Sequence, residues 1–369
     1  MNILLLTTHF NEGGISRYCL NLGKELAAKG NKIYVASGGG GLEQVLSQNN
    51  IEHIRLNLRT KSELSPKIWC ALFQLKKPLK EKNIQLIHAQ TRVTQVLAYW
   101  IYKFYKIPYL STCHGFFKTR LSRRVFPCWG ERVIAISQAV ENHLIKDFKA
   151  SPSKVVYIPN GLDLRSFSNY DNQTRQDFRN QLRIDPQELV IGIVARLSTV
   201  KGHKFLIKAI VEVIREFPRV KLLIVGDGPL KNELIKLTEE SGISQKVIFL
   251  PSVLETSLVL SILDIFVMPS LQEGLGLSIM EAMAMGIPVI ATSVGGIPDL
   301  IKDRQTGILV PSEDSAILGR AIINLLKDKD FQEALGKNAR NFIQQSDFSV
   351  QKMAQATEEV YQGVLIEKD

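Results

Sequence analysis

The sequence predicts an α/β protein made of two doubly wound, Rossmann-like domains that face each other across a cleft. Three observations predict it. Short apolar runs alternate with stretches of helical periodicity along the whole chain. At 369 residues there is enough chain for two separate cores. Between full β-α units, the stretch Arg165–Pro186 is polar and poor in aliphatic residues, which marks a break.

The elements follow in order. Asn2–Leu6 reads as a buried first strand, being too short and wrongly flanked for a signal peptide. From Ile15, the residues Tyr18, Cys19, Leu22 and Leu26 recur at helical spacing, and Gly30 is placed to end that helix. Further strands are expected at Lys32–Ala36, Ile51–Leu56, Ile84–His88, Pro108–Ser111, Arg132–Ile136 and Lys154–Ile158. In the second half they are expected at Leu189–Ala195, Lys221–Val225, Lys246–Leu250, Asp264–Met268, Pro288–Ala291 and Gly307–Val310. Ser349–Lys368 reads as a final helix. Strands alternating with helices argue for parallel sheets, which bind ligands at the carboxyl ends of their strands.

Composition narrows the function. Hydrophobic residues make up 45% of the chain and mean hydropathy is +0.02, as in a water-soluble globular protein. No apolar run approaches the roughly 18 residues that a membrane span needs. Cys19, Cys70, Cys113 and Cys128 show no C-x-x-C spacing, so reduced thiols in a cytoplasmic protein are expected, without a zinc site or disulfide framework. Residues 1–170 carry 24 Lys+Arg and 10 Asp+Glu, and residues 171–369 carry 22 and 26. The positive excess lies in one half and suggests an anionic partner there: a membrane surface, an acidic acceptor or nucleic acid.

Several strand-end loops carry candidate chemistry. Glu273 to Glu281 reads E-G-L-G-L-S-I-M-E and runs on into A-M-A-M-G-I-P-V-I-A. The two acids could read hydroxyl groups while backbone N–H groups freed by Gly274 and Gly276 hold a phosphate. Equally, Ser278-x-x-Glu281 has the form of a capping box and Glu273 that of a solvated loop acid. Gly13-Gly14 ends the first strand loop and leaves helix-start amides free for an anion, but it is no G-x-G-x-x-G fingerprint and also suits a plain tight turn. Arg196 with Lys201-Gly202 puts two cations on one loop, which suits a diphosphate or an ordinary solvated loop. Gly226-Asp227-Gly228-Pro229 and Asn160-Gly161-Leu162-Asp163 are satisfied as turns. His114-Gly115 places a lone histidine on a strand-end loop.

Taken in order, Gly13-Gly14, His114-Gly115, Asn160-Gly161-x-Asp163, Arg196…Lys201-Gly202, Gly226-Asp227-Gly228-Pro229 and Glu273-x7-Glu281 with Ala-Met-Ala-x-Gly-x-Pro-Val resemble glycosyltransferase family 4, of the GT-B fold. The resemblance spans essentially the whole chain. It implies a retaining, metal-independent and cofactor-free transfer of a sugar from a nucleotide-sugar donor to an acceptor hydroxyl. It implies that Arg196 and Lys201 neutralise the donor diphosphate, that Glu281 takes the ribose hydroxyls, and that Glu273 takes those of the transferred sugar. The backbone of Leu275, Gly276 and Leu277 would meet the distal phosphate. Gly13 and Gly14 would face the donor–acceptor junction, with His114 beside the reacting sugar. Asn160, Gly226 and Asp227 are carried over as donor-binding positions. The last helix would cross back onto the first domain, giving domains of 1–165 plus 350–369 and 166–349. Ala195 stands where the family often has Gly, and Val200 where an acid often precedes the lysine.

A glycosidase reading of the two glutamates is weakened by geometry. Eight helical positions separate Cα atoms by ~12 Å, against the roughly 5–9.5 Å between paired hydrolytic carboxyls. Other readings are a GT-B nucleotide-sugar epimerase or phosphorylase, and, least favoured, a non-enzymatic sugar-nucleotide binding protein. Acceptor contacts are expected in the first half. There, Arg55–Lys82 and Tyr99–Arg132 mix aromatic with basic residues, a composition suited to peripheral docking on anionic lipid. The expected setting is cytoplasmic, on the inner face of the membrane, with a glycan or lipid-linked acceptor of lipopolysaccharide, surface polysaccharide or glycolipid synthesis. No nucleic-acid partner is expected, since no binding module is visible.

Overall fold

The computed structural model of the protein describes residues 1–167, 170–253 and 255–366. Ser168, Asn169 and Glu367–Asp369, which fall in the expected break and the expected C-terminal segment, lie outside the described residues. The chain forms two compact units: Met1–Gly161 with the segment that begins at Asp347, and Leu162–Ser346. None of the four cysteines forms a disulfide.

In the first unit the strands are β1 (Asn2–Leu6), β2 (Lys32–Ser37), β3 (Glu52–Arg55), β4 (Leu86–Ala89), β5 (Tyr109–Cys113), β6 (Val133–Ala135) and β7 (Val155–Tyr157). The helices are α1 (Gly14–Ala28), α2 (Glu43–Ser47), α3 (Lys67–Glu81), α4 (Arg92–Tyr105), α5 (Leu121–Val125) and α6 (Gln138–Phe148). The sheet is parallel, in the order β3-β2-β1-β4-β5-β6-β7. The period-2 geometry of a strand covered on both faces explains why β1 is apolar from Ile3 to Leu6. Ile3 and Leu5 enter one core, with Tyr18, Leu22 and Leu26 of α1. Leu4 and Leu6 enter the other, with Leu72 and Leu75 of α3 and Val96 of α4.

The second unit repeats the plan with β8 (Leu189–Val194), β9 (Val220–Val225), β10 (Val247–Leu250), β11 (Ile265–Met268), β12 (Val289–Thr292) and β13 (Ile308–Val310). Its helices are α7 (Asn172–Gln181), α8 (His203–Glu216), α9 (Lys231–Glu240), α10 (Ser257–Ser261), α11 (Leu277–Ala284), α12 (Ile297–Leu300), α13 (Ser315–Lys327) and α14 (Lys329–Gln345). Its parallel sheet has the order β10-β9-β8-β11-β12-β13. The polar stretch Arg165–Pro186 contains α7, which starts at an Asp171 cap.

The last helix, α15 (Val350–Ile366), belongs to the first unit. Its Met353, Ala354, Tyr361 and Val364 complete the core beside α1. Among the described residues no helix is long and apolar enough to cross a membrane.

All thirteen apolar runs become strands, with ends moved by at most two residues. Each sheet reverses its winding once, between β1 and β4 and between β8 and β11. Such a switch point leaves a crevice at the carboxyl ends of the strands. Helix starts differ in a related way. Thr91, Ser137, Asp171, Asp314 and Asp328 cap α4, α6, α7, α13 and α14 with their side chains. Helices α2, α3, α5, α9, α10 and α12 have no side-chain cap, and neither do α1, α8 and α11, which begin at Gly13, Gly202 and Gly276. These last three follow a strand at a switch point, so the uncapped amides stand where anions bind such folds.

Candidate active site

In the second unit the loops after β8 and β11 are stitched together by backbone. The Val200 carbonyl accepts from Leu271 N at 2.8 Å. Gly202, at φ 70°, lies so close to Pro269 that a Cβ there would sit 1.8 Å from the Pro269 carbonyl oxygen. This seam delivers Lys201 Nζ to Glu273 Oε2 at 2.5 Å. Ser270 Oγ donates to the same oxygen at 3.3 Å, and Gly296 N holds the Glu273 carbonyl at 3.1 Å. Glu273 is buried. Arg196 is exposed on the same loop as Lys201, and its side chain has no hydrogen bond or ion pair among the described residues.

Just beyond Glu273, Leu275 is buried and Gly276 opens α11 at φ 108°. The first amides of α11, beginning at Leu277, have no carbonyl partner within the helix. The capping-box reading of Ser278 and Glu281 fails. Gly276 is the N-cap, which puts Ser278 inside the first turn, and the buried Glu281 carboxylate accepts from Thr256 Oγ1 at 2.9 Å. The reading of Glu273 as a solvated loop acid fails too, because it is buried and paired.

Gly226 and Gly228 have a packing reason. A Cβ on Gly226 would lie 2.1 Å from the Ala195 carbonyl oxygen, and one on Gly228 2.2 Å from that of Leu197. The two glycines therefore let the loop after β9 press against the segment that carries Arg196. Asp227 binds the next loop, exchanging bonds with Ser252: its N–H donates to Ser252 Oγ at 3.1 Å and its Oδ2 accepts from Ser252 N at 2.8 Å.

In the first unit, Gly13 (φ 154°) precedes α1 and has no atom within 4 Å of its would-be Cβ, so Gly13-Gly14 presents open backbone. His114 follows β5. Its Nε2 meets Gln90 Oε1 at 2.8 Å, and its ring stands edge-on to Tyr18 at 4.8 Å. Burial pushes its pKa down to about 3, so the ring is neutral at physiological pH. Asn160 is buried, and its Oδ1 has no hydrogen-bond partner among the described residues. The next residue, Gly161, packs under the start of α15, where a Cβ would sit 2.5 Å from the Ser349 carbonyl oxygen.

Thus Arg196, Lys201, Glu273, Leu275, Gly276, Leu277, Glu281, Gly226 and Asp227 lie in one unit, while Gly13, Gly14, His114 and Asn160 lie in the other. Residues 12–166 match the family model Glycosyltransferase Family 4, and residues 174–342 match Glycosyl transferases group 1. Each unit thus matches a glycosyltransferase family model, and the chain is a glycosyltransferase. This glycosyltransferase is 26% identical to an uncharacterized glycosyltransferase of Methanocaldococcus jannaschii, over 95% of this chain and 94% of that one. It is 27% identical to the UDP-Gal:alpha-D-GlcNAc-diphosphoundecaprenol alpha-1,3-galactosyltransferase of Escherichia coli, over 81% of this chain and 80% of the relative. Anabaena HepE, crystallised in complex with UDP-glucose, is similar in fold at a TM-score of 0.87 and 23% identity, covering 98% of this chain and 100% of HepE. The shared fold is GT-B.

Sequence reasoning missed the buried polar residues that surround His114 and Lys201. His88, at the carboxyl end of β4, joins Thr112 Oγ1 through Nε2 and Tyr361 of α15 through Nδ1, both at 2.7 Å. Tyr18 meets the same Thr112 at 3.2 Å. Burial, with His114 nearby, lowers the His88 pKa to about 3. A histidine inside a buried strand of otherwise apolar residues was the available signal. His203, buried beside Lys201, had none, since it reads as an ordinary helix residue.

Proposed function

We propose that this glycosyltransferase moves a sugar from a nucleotide-sugar donor to a hydroxyl of a glycan or lipid-linked acceptor, keeping the anomeric configuration and needing no metal or other cofactor. The observation that carries the reading is the convergence of Lys201, Glu273, Arg196 and the uncapped start of α11 at one switch point. When the bond from the sugar anomeric carbon to the diphosphate breaks, charge grows on the leaving phosphate oxygen. Arg196, Lys201 and the first amides of α11 meet that charge, which favours the transition state over the ground state. The departing oxygen takes the acceptor proton on the face from which it leaves, so the new bond forms on that same face. Glu273 positions the sugar hydroxyls and Glu281, beside Thr256, those of the ribose. In the first unit, His114 stays neutral and Gly13-Gly14 keeps open backbone, both suited to hydroxyl groups of a sugar. Gly226 and Asp227 act here mainly by shaping the Arg196 loop.

The E. coli relative is named for a UDP-sugar and a lipid-diphosphate acceptor, and HepE was crystallised with UDP-glucose. Both names support a nucleotide sugar as donor. The first supports work on lipopolysaccharide, surface polysaccharide or glycolipid at the cytoplasmic face of a membrane.

A thermal-shift panel of nucleoside diphosphates and nucleotide sugars tests the donor. A matching ligand at a hundred times its Kd should stabilise by about 2.7 kcal/mol. Transfer assays with the matching donor then separate the readings. Donor turnover without acceptor indicates an epimerase, a strict need for inorganic phosphate indicates a phosphorylase, and activity lost to a chelator removes metal independence.

A further inference from the structure

Nine large apolar side chains are strongly exposed among the described residues, and six of them, Leu64, Trp69, Phe73, Phe104, Leu121 and Val125, fall on or beside α3, α4 and α5. They are not scattered. Trp69 packs against Trp100 at 4.9 Å, and Trp100 stacks on Phe104 at 6.1 Å, so an aromatic ladder runs from α3 along α4. Phe73 is one helical turn beyond Trp69, and Val125 one turn beyond Leu121.

The ladder borders a cavity of about 400 Å³, walled by Ile68, Trp69, Val96, Trp100, Val125 and Phe126. The polar groups in its wall are already engaged with protein. Arg92 pairs with Glu63 and donates to the Phe126 and Pro127 carbonyls. Ser122 Oγ donates to Glu63, and Ser65 Oγ accepts from Lys67 N. The wall therefore offers apolar contact and few unmet hydrogen bonds, which suits a hydrocarbon better than a sugar.

The surroundings are cationic. Residues 63–82 and 99–126 carry eleven Lys and Arg and two acids, Glu63, which is paired with Arg92, and Glu81. An exposed aromatic ladder, an apolar cavity and a predominantly basic rim together match the interface of an anionic lipid leaflet.

We propose that the α3–α4–α5 face docks the enzyme on an anionic lipid leaflet, and that the cavity holds one hydrocarbon chain drawn from it. Docking turns on charge and apolar contact alone and does not depend on the donor chemistry.

The test uses the full chain and vesicles of phosphatidylcholine, with or without phosphatidylglycerol. Flotation at low salt should favour the anionic vesicles. Lipids brominated on the acyl chain should quench Trp69 and Trp100, and quenching should vanish in Trp69→Phe/Trp100→Phe, which retains only the buried Trp129. Lys76→Ala and Lys80→Ala should each weaken binding roughly fivefold, and Phe73→Ser/Val125→Ser by at least ~10-fold. Equal flotation on neutral and anionic vesicles overturns the docking. Binding without chain-dependent quenching overturns the occupied cavity. If Phe73→Ser/Val125→Ser instead dissolves a lipid-free dimer, the face is a self-association surface and the proposal falls. None of these measurements involves turnover, and nucleotide-induced thermal shifts in the same variants report separately on the donor site.

Discussion

Lys201 and Glu273 stand 72 positions apart in the chain, and each changes what the other can do. The ammonium offsets the cost of burying the carboxylate, and the carboxylate fixes an otherwise flexible lysine where a leaving phosphate would need it. Lys201→Ala should cut transfer by at least ~100-fold and lower unfolding stability by about 1–3 kcal/mol, because Glu273 loses its cation. Turnover at the wild-type rate would remove the diphosphate assignment, and an unchanged melting temperature would mean the pair is screened by solvent. The residue types at these positions were readable from the motifs, but their pairing was not. It depends on the Val200 carbonyl meeting Leu271 N across two loops, a contact with no trace in a linear pattern. Buried histidines add a pH dependence. Burial holds His88 and His114 at about 3 and His203 at about 4, below an exposed imidazole at about 6.5. Between those values the unfolded chain binds more protons than the folded one, so stability rises with pH and levels off above about 6.5. Each such histidine contributes up to about 1.4 kcal/mol per pH unit. Neither ring nitrogen of His203 has a partner among the described residues. His203→Leu should therefore flatten the slope of stability between about pH 5 and 6.5 by one proton, above the range where most carboxylates titrate. Urea unfolding across that range is the check, and an unchanged slope would mean His203 is charged or solvated.

Among the elements, strands were legible because parallel strands covered on both faces must be apolar runs, and such runs stand out between helices. Helix starts were less so. A capping box at Ser278 requires the helix to begin after it, yet Gly276 can take φ 108° and start α11 two residues earlier. The glycines around β8 were visible as punctuation, but their reasons were not. Gly202 can be compared with Gly242, which follows α9, since their φ values are 70° and 69°. A Cβ on Gly242 meets nothing within 4 Å, whereas one on Gly202 strikes the Pro269 carbonyl. Gly242→Ala should thus cost only the left-handed penalty, about 1–2 kcal/mol. Gly202→Ala should cost clearly more and should also reduce transfer, since it pushes apart the two loops that carry Lys201 and Glu273. Denaturant unfolding of the two variants side by side makes the comparison, and equal losses would show that the Gly202–Pro269 approach is slack.

The whole molecule is two parallel sheets tied together by an uneven use of chain. The first sheet's core is finished only by α15, which supplies Met353, Tyr361 and Val364 and a partner for His88. Ending the chain at Ser346 should leave that core open and the His88 ring short of a bond. The expected result is loss of the first unit's cooperative unfolding transition, while Leu162–Ser346 keeps its own. Retention of both transitions by calorimetry would mean α15 is dispensable. Gly161 carries a further consequence. The chain leaves the first unit there and resumes it at Asp347, with Ser349 resting directly on Gly161. Exit and re-entry are neighbours, so everything between them is, in topological terms, a cassette clipped into a single gap. A segment inserted between those two points interrupts no strand of the host sheet, so its length is set independently of that sheet.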